Sequence, residues 1–328
     1  MPFRTDHVQQ VLSALENRIR NRLHRPGDRF ATARQIANQY DVSYQTAHRL
    51  LADLAERGLI VRRPRSGSYI AGPTYKPTRI RLMLHPRAEN PQGFGGKLRR
   101  VLLDAFEESG LPCDTTTTLP NKPDPGVLPI IWQMPEAVTQ CVESGSPGIL
   151  VNERPEPGWG SSLLDSVCAD DYAGGALAAD TLLQGAPGNA TFAVLAGPKN
   201  DRRSNDRIAG FRSKVPGAKV THADNWHRDA GRRAADAIDS PTLNGIFAAN
   251  DRLAQGLLLA YKDRHKPPPR IVGYDDAPIA QQLGLTTIAL PWTGIARAIV
   301  ERAQTRLKAD LSPARTLLLQ PAIVFHGK

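Results

Sequence analysis

The chain has 328 residues, of which 41% are hydrophobic and 23% are charged. These proportions are typical of globular domains, and a chain longer than about 250–300 residues usually forms more than one domain. No apolar run is long enough to cross a membrane and no N-terminal leader is apparent, so we expect a cytoplasmic protein. Three separated cysteines without metal-ligand spacing, Cys113, Cys141 and Cys168, predict neither a disulfide framework nor a metal site.

Most of the net charge of +10 lies in the first quarter of the chain. Residues 1–80 contain 14 Lys and Arg against 6 Asp and Glu, whereas the rest of the chain contains 28 against 26. A basic block joined to a nearly neutral body is typical of a nucleic-acid-binding module attached to a domain with another task. A solvated basic surface is the alternative that charge alone leaves open.

Three helices and a hairpin are predicted in residues 1–72. Apolar residues recur with helical spacing over residues 8–23, and Thr32 and Ser43 stand where they can cap two further helices. Two short strands then flank a basic turn over residues 62–68. The order helix, helix, turn, helix, hairpin describes an α+β winged helix-turn-helix domain, whose third helix fits the major groove of DNA.

The outer surface of this module offers two kinds of DNA contact. Side chains on the third helix that can reach base edges are Tyr44, Gln45 and His48. Basic side chains suited to phosphate contacts are Arg34, Arg62, Arg63 and Arg65.

The stretch from Val8 to Ala71 resembles the DNA-binding domain of GntR-type bacterial repressors. The motifs that carry the resemblance include Arg25-Pro26-Gly27-Asp28, Thr32-Ala33-Arg34-Gln35-Ile36-Ala37, Glu56-Arg57-Gly58-Leu59-Ile60 and Gly67-Ser68-Tyr69-Ile70. The resemblance implies a double-stranded DNA operator as partner and contacts at Arg34, Ser43, Tyr44, Gln45, Thr46, His48, Arg65 and Gly67. The family often has Arg at the positions of Tyr44 and His48, so its base preference does not transfer to this chain.

A second domain is predicted over residues 80–328, after a short semi-rigid linker over residues 73–79 that contains Pro73 and Pro77. Strand and helix patterns alternate from residue 80 to residue 274, which predicts parallel sheets covered by helices. About ten such segments exceed what one doubly wound sheet normally holds. We therefore expect a two-lobed α/β domain with two parallel sheets.

Short motifs follow several strands of this second region. They include Leu195-Ala196-Gly197-Pro198, Phe247-Ala248-Ala249-Asn250-Asp251, Ile271-Val272-Gly273-Tyr274-Asp275-Asp276 and Leu285-Thr286-Thr287-Ile288. In this order they resemble the effector-binding domain of LacI/GalR-type repressors, which is similar to periplasmic sugar-binding proteins. The resemblance implies a sugar or sugar-like effector bound by Arg207, Asn250, Asp275 and Trp292. Asn152, at the end of a predicted strand, is a further candidate.

These residue types suit a sugar. A guanidinium fork and a carboxylate can form charge-assisted hydrogen bonds with neighbouring hydroxyls, while an indole ring covers the apolar face of a pyranose. The sequence thus predicts a ligand-responsive transcriptional repressor that works as a homodimer on two related half-sites. We expect no cofactor and no membrane partner.

Two other classes of protein compete with this prediction. An α/β enzyme with a basic N-terminal module is disfavoured because the adjacent carboxylates Asp170-Asp171 and Asp275-Asp276 lack the cross-site spacing of acid–base pairs. The sequence also has no nucleophile-elbow or phosphate-loop motif, so we expect no catalytic residue. A cytoplasmic sugar-binding protein is the second alternative, disfavoured by the basic module.

Overall fold

The computed structural model describes residues 3–20, 28–63, 67–71, 76–91, 93–144, 146–155, 163–308, 310, 312 and 314–327. The helices are α1 (Phe3–Arg20), α2 (Ala33–Tyr40), α3 (Tyr44–Glu56), α4 (Phe94–Glu108), α5 (Pro135–Ser144), α6 (Asp171–Leu183), α7 (Arg202–Lys214), α8 (Arg228–Ile238), α9 (Asp251–Asp263), α10 (Pro278–Leu283) and α11 (Trp292–Leu307). The strands are β1 (Ile60–Arg63), β2 (Gly67–Ile70), β3 (Arg79–Leu84), β4 (Cys113–Thr116), β5 (Val127–Trp132), β6 (Gly148–Val151), β7 (Leu164–Ala169), β8 (Thr191–Ala196), β9 (Lys219–His222), β10 (Leu243–Ala248), β11 (Arg270–Asp275), β12 (Thr286–Ala289), β13 (Thr316–Leu319) and β14 (Ala322–Phe325).

The N-terminal module contains α1, α2, α3 and a two-stranded antiparallel sheet of β1 and β2. Its core is one cluster of buried apolar side chains from all five elements, among them Leu15, Ile36, Leu50, Ile60 and Ile70. The helical spacing of Leu15, Ile36 and Leu50, read from the sequence, places these three side chains on inward faces. The winged helix-turn-helix prediction is confirmed.

Side-chain caps define where two of these helices begin. The Thr32 hydroxyl accepts a hydrogen bond from the backbone N–H of Gln35, whose side chain accepts one from the Thr32 backbone N–H at 2.8 Å. This capping box satisfies two N–H groups that a helix start otherwise leaves unpaired. Ser43 caps α3 through its side chain alone, accepting from the Thr46 N–H at 3.1 Å. Both predicted caps are confirmed.

A third extended segment lies beside the hairpin. The Phe30 N–H donates to the Ser68 carbonyl at 2.8 Å, and the Ile70 N–H donates to the Asp28 carbonyl at 2.9 Å. A backbone bridge between Arg29 and Tyr69 lies between these bonds. The hairpin is therefore held on both sides along β2, while the wing tip, residues 64–66, lies outside the described residues.

Two six-stranded sheets make up the rest of the fold. One has the strand order β4-β3-β5-β6-β7-β13, and the other has the order β9-β8-β10-β11-β12-β14. The strand pairs whose register the structure describes are parallel, except that β14 runs antiparallel to β12 at an edge of its sheet. Two parallel-dominated sheets with crossover helices confirm the predicted α/β class.

The structure contains a strand that the pattern of residues does not indicate. Strand β7 is buried along its whole length although it carries Asp165 and Ser166, neither of which is exposed. Polar residues in the middle of a short segment interrupt the apolar run that marks a buried strand. The predicted strand over residues 113–119 is also shorter in the structure and ends at Thr116.

Contacts within the chain define two compact units. The first comprises Met1–His85, Phe106–Ser166 and Ile299–Thr316, and the second comprises Pro86–Ala105, Val167–Ala298 and Leu317–Lys328. The predicted domain boundaries at residues 72 and 80 remain predictions. Among the described helices, none combines the length and the apolar character that a membrane crossing requires.

Helices α6 and α7 of the second unit pack unusually close together. Any side chain at Gly210 of α7 would collide with the backbone carbonyl of Tyr172 in α6, and one at Gly175 would collide with the Arg207 carbonyl. Only glycine allows two helix backbones this approach. The contact brings the first turn of α6, with Asp171, beside Arg207 of α7.

Candidate functional site

The exposed face of α3 carries most of the residues predicted to read DNA. Tyr44 is 62% exposed, and Gln45 and His48 are exposed beside it. Ser43 and Thr46 are engaged locally, because their hydroxyl oxygens lie 2.8 Å apart at the start of the helix. The helix thus presents a polar and aromatic surface over its first turns.

A polar concavity of about 680 Å³ lies between α2 and α3. Its lining residues are Arg34, Ala37, Asn38, Asp41, Val42 and Tyr44. The structure therefore brings together Arg34 and Tyr44. The sequence predicted a phosphate contact for Arg34 and a base contact for Tyr44.

The extended segment beside the hairpin contains a cation that the sequence pattern does not single out. Gly67 begins β2 with a φ of +118°, a conformation that glycine adopts readily and other residues rarely do. A Cβ atom at Gly67 would lie 3.4 Å from Nε of Arg29, so the exposed Arg29 side chain lies against this glycine. Arg29 lies outside the sequence motifs named above, next to the apolar Phe30. The predicted contact Arg65 lies outside the described residues.

A buried charge network occupies the carboxyl ends of strands in the second unit. Arg207 is 4% exposed, and its Nε donates to the Asp171 carboxylate at 2.7 Å. Its Nη1 donates to the Ala249 carbonyl at 2.5 Å, and its Nη2 lies 3.6 Å from Oδ1 of Asp275. Burial opposes the charge of Arg207, but the carboxylates of Asp171 and Asp275 raise its pKa. Asp171 is a member of this network that the sequence prediction omitted.

Aromatic rings lie on two sides of the Arg207 guanidinium. Its central carbon is 3.6 Å from the centroid of the Tyr274 ring and 5.6 Å from that of the Trp226 ring. The Trp226 Nε1 donates to Asp201 at 3.1 Å, which fixes the indole. Such contacts hold a guanidinium in one plane. Trp226 lies in the loop between β9 and α8, where no sequence motif marks it.

Asp275 ends β11 in a strained conformation. Its φ is +101°, and that of Asp276 is +51°, values that non-glycine residues rarely adopt and that concentrate at functional sites. Burial raises the pKa of Asp275 to about 6, against the lowering effect of Arg207. The Asp276 carboxylate accepts a hydrogen bond from Nε2 of His326 at 2.7 Å. The two adjacent carboxylates thus have different partners.

The remaining predicted effector residues have diverse surroundings. Asn250 caps α9, accepting from the Leu253 N–H at 2.7 Å and donating to the Trp226 carbonyl at 3.0 Å. Trp292 packs against Phe94 with ring centroids 5.0 Å apart. Asn152 lies in the first unit, buried after β6, with a φ of +52°. The side chain of Asn250 therefore already serves as a helix cap, with its amide bonded within the fold.

Lys97 adds a positive charge beside Trp292. Its Nζ lies 5.1 Å from the Trp292 ring centroid and donates to the Asp276 carbonyl at 3.3 Å. The Trp292 Nε1 is buried and has no acceptor within the part of the chain that the structure describes. This corner of the unit therefore combines an indole with an unused donor and an ammonium group.

Asp251 connects the strand ends beneath the network. It is fully buried, and its carboxylate accepts from the Thr287 hydroxyl at 2.6 Å and from the Ala277 N–H at 2.7 Å. It thereby anchors the turn that carries Asp275. Burial and the charge of Asp275 raise the pKa of Asp251 to about 8.

The raised pKa of Asp251 predicts a pH-dependent stability. An unfolded Asp loses its proton near pH 4, whereas folded Asp251 holds it up to about pH 8. The unfolded state therefore binds fewer protons between these values, and folding becomes less favourable as the pH rises, by up to about 1.4 kcal/mol per pH unit. We expect Asp251→Asn, whose amide oxygen can accept from the Ala277 N–H while its NH2 group donates to the Thr287 hydroxyl oxygen, to flatten this slope when urea unfolding is compared at pH 5 and pH 8. An equally steep slope in the variant would contradict the assignment, and Asp224→Asn at an exposed position serves as control.

Both regions are suited to binding. Among the described residues, no group of three or more His, Cys, Asp or Glu side chains is arranged to hold a metal ion. A winged helix with an exposed polar helix, and a sheet domain with a buried guanidinium and carboxylates at its strand ends, are both arrangements typical of binding.

Comparison with protein families agrees with this class. Residues 7–70 match the family of bacterial regulatory proteins, gntR family, and residues 134–284 match the periplasmic binding protein domain. The chain therefore joins a GntR-type helix-turn-helix domain to a periplasmic-binding-protein-like domain, as the sequence motifs predicted.

Curated relatives are named as transcriptional repressors. The chain is 27% identical over 231 residues to the HTH-type transcriptional repressor PurR of Vibrio parahaemolyticus, covering 65% of this chain and 67% of the repressor. It is 32% identical over 135 residues to the ribose operon repressor of Halalkalibacterium halodurans, covering 38% of this chain and 40% of that protein.

Solved structures share the fold. A LacI family transcriptional regulator from Enterococcus faecium with bound ribose superposes with a TM-score of 0.60 at 23% identity, covering 76% of this chain and 98% of the regulator. At this identity the likeness concerns the architecture.

Proposed function

We propose that this protein is a ligand-responsive transcriptional repressor that binds a double-stranded DNA operator through its N-terminal module. The observation that carries the proposal is the buried Arg207–Asp171–Asp275 network in a chain that also presents an exposed recognition helix. A buried, strained and charged cluster at strand ends is costly to a fold and is typical of a binding site. The repressor names of the relatives support the DNA-directed role.

The proposed effector is a sugar or a sugar-like molecule in the second unit. Arg207 and Asp275 offer donors and an acceptor to adjacent hydroxyls, and Trp292 offers an apolar ring with a free N–H. Asn250 is kept as a proposed contact, although the helix cap that it forms leaves its amide fewer free positions. Asn152 lies in the first unit, and its effector contact stays a prediction of the sequence. Two relatives are named for ribose or contain it, which puts D-ribose first among the candidates.

A thermal-shift screen tests the effector proposal. The full chain would be heated with D-ribose, other monosaccharides, disaccharides and sugar acids, each at several millimolar. A ligand at 100 times its Kd stabilises the folded state by roughly 2.7 kcal/mol, which moves the midpoint by several degrees. Absence of a shift with every class of sugar would refute the sugar proposal while leaving the DNA proposal open.

The protein is proposed to act in the cytoplasm as a homodimer. One winged helix reads a single half-site, whereas two modules on related half-sites reach the affinity of a specific repressor, about 10⁻⁸–10⁻¹¹ M. Sedimentation of the full chain, alone and with a two-half-site duplex, distinguishes a dimer from a monomer. A complex with one chain per duplex would contradict the dimer.

Two substitutions separate phosphate contact from base reading in the module. Arg34→Ala is expected to weaken binding to every duplex and to lower the slope of log K against log salt by about 1, because one phosphate contact is lost. Gln45→Ala is expected to change preference at one base pair, at a cost of about 1–3 kcal/mol. Gel shifts over a salt series with selected and scrambled duplexes measure both. If the two variants had the same effect on both duplexes, the division of roles would be wrong.

A further inference from the structure

A hydrogen bond joins the recognition helix to the wing hairpin. His48 lies one turn beyond Tyr44 in α3, and Arg62 lies in β1. The Arg62 Nη2 is 2.8 Å from the His48 Nε2. Both side chains are exposed, and neither belongs to the buried core of the module. The bond is therefore made on the surface to which the proposed function assigns DNA.

The chemistry of the two side chains fixes the direction of the bond. A guanidinium has five N–H donors and no acceptor, so Arg62 donates and the Nε2 lone pair of His48 accepts. The ring proton of His48 then resides on Nδ1. One donor of Arg62 is used, and the others keep the planar fork that matches two adjacent acceptors. Within the described part of the chain, no carboxylate pairs with Arg62, so its charge is not neutralised.

Arg62 supplies the guanidinium group that residues 44–48 of α3 lack. Residues 44–48 contain no Lys or Arg, so the guanidinium bonded to this segment comes from the hairpin. A guanine presents two adjacent acceptors, O6 and N7, in the major groove, and an Arg fork reads them in a bidentate contact. A phosphate contact would need only a positive charge, whereas a fork held against the recognition helix suits a base edge.

We propose that Arg62, positioned by His48, is a base-reading residue that selects a guanine in the major groove. The inference rests on the proposed DNA-binding function and deepens it. It assigns specificity to a strand of the wing, where the sequence predicted a phosphate contact. His48 acts through Arg62 as a positioning residue.

Selection from a pool of randomised duplexes tests the assignment with the full chain. The variants are Arg62→Lys, which keeps the charge but not the fork, and His48→Phe, which keeps a ring but not the acceptor. Arg49→Lys, at an exposed position of the same helix, is the matched control. Sequencing of the bound pool gives the preference at every base pair, and the double variant Arg62→Lys with His48→Phe measures coupling.

We expect the wild-type protein to enrich a guanine at one position of each half-site. Arg62→Lys and His48→Phe should both reduce that enrichment, by roughly ten- to a hundredfold for Arg62→Lys, and leave other positions unchanged. The double variant should lose no more than Arg62→Lys alone. Retention of the guanine by Arg62→Lys, or changes at different base pairs in the two variants, would overturn the proposal. Failure of the wild-type protein to enrich any sequence would instead refute the DNA-binding function.

Discussion

Asp165→Ala is expected to lower the free energy of unfolding by about 3–5 kcal/mol, because it removes the buried carboxylate that pairs with two buried guanidinium groups. The Asp165 side chain is 0% exposed and accepts from Arg302 Nη2 at 2.9 Å and from Arg306 Nε at 2.7 Å. It also accepts from the Arg315 backbone N–H at 2.9 Å. Arg306 is itself buried and donates through Nη1 to two backbone carbonyls, so it cannot turn towards water without breaking these bonds.

An exposed ion pair provides the comparison for this variant. Asp263 pairs with Arg232 at 2.7 Å, and the two side chains are 48% and 58% exposed. Because solvent screens such a pair, Asp263→Ala should cost at most about 1 kcal/mol. Urea unfolding of the wild type and both variants measures the difference. A loss in Asp165→Ala no greater than that in Asp263→Ala would show that the two guanidinium groups find other partners.

Asp275→Asn is expected to weaken effector binding by roughly ten- to a hundredfold, the effect of losing a charged hydrogen-bond partner of about 1.5–3 kcal/mol. The substitution should not lower the stability of the folded protein. Burial raises the pKa of Asp275 to about 6, so at pH 7.5 the folded protein carries a buried charge that destabilises it relative to the unfolded chain. The substitution also removes a charge that raises the pKa of Asp251. The variant should therefore unfold at the same temperature as the wild type or above it at pH 7.5.

Calorimetry with the sugar found in the thermal-shift screen measures this effect. Asp224→Asn is the matched control, since Asp224 lies in the same unit but forms an exposed pair with Arg233 at 2.8 Å. Its affinity for the sugar should equal that of the wild type. Equal affinities in Asp275→Asn and Asp224→Asn would exclude Asp275 from the effector site.

The sequence by itself determined the N-terminal module and the class of the second domain. Helix starts at Thr32 and Ser43 could be predicted because each cap bonds to a residue only three positions away. Charge concentrated in residues 1–80, and the alternation of strand and helix, are likewise local or compositional properties. Such features depend on residues within a few turns, so no knowledge of the tertiary structure is needed.

Other features depend on residues that only the tertiary structure brings together. Asp171 and Arg207 are 36 positions apart and meet because glycines let α6 and α7 approach each other. The Arg62–His48 contact likewise needs the hairpin to fold back onto α3. Strand β7 could not be predicted from the sequence, because Asp165 interrupts its apolar pattern. This buried carboxylate is tolerated because Arg302 and Arg306 of a distant helix pair with it. Pairing energies of this kind are set by topology, which local periodicity does not encode.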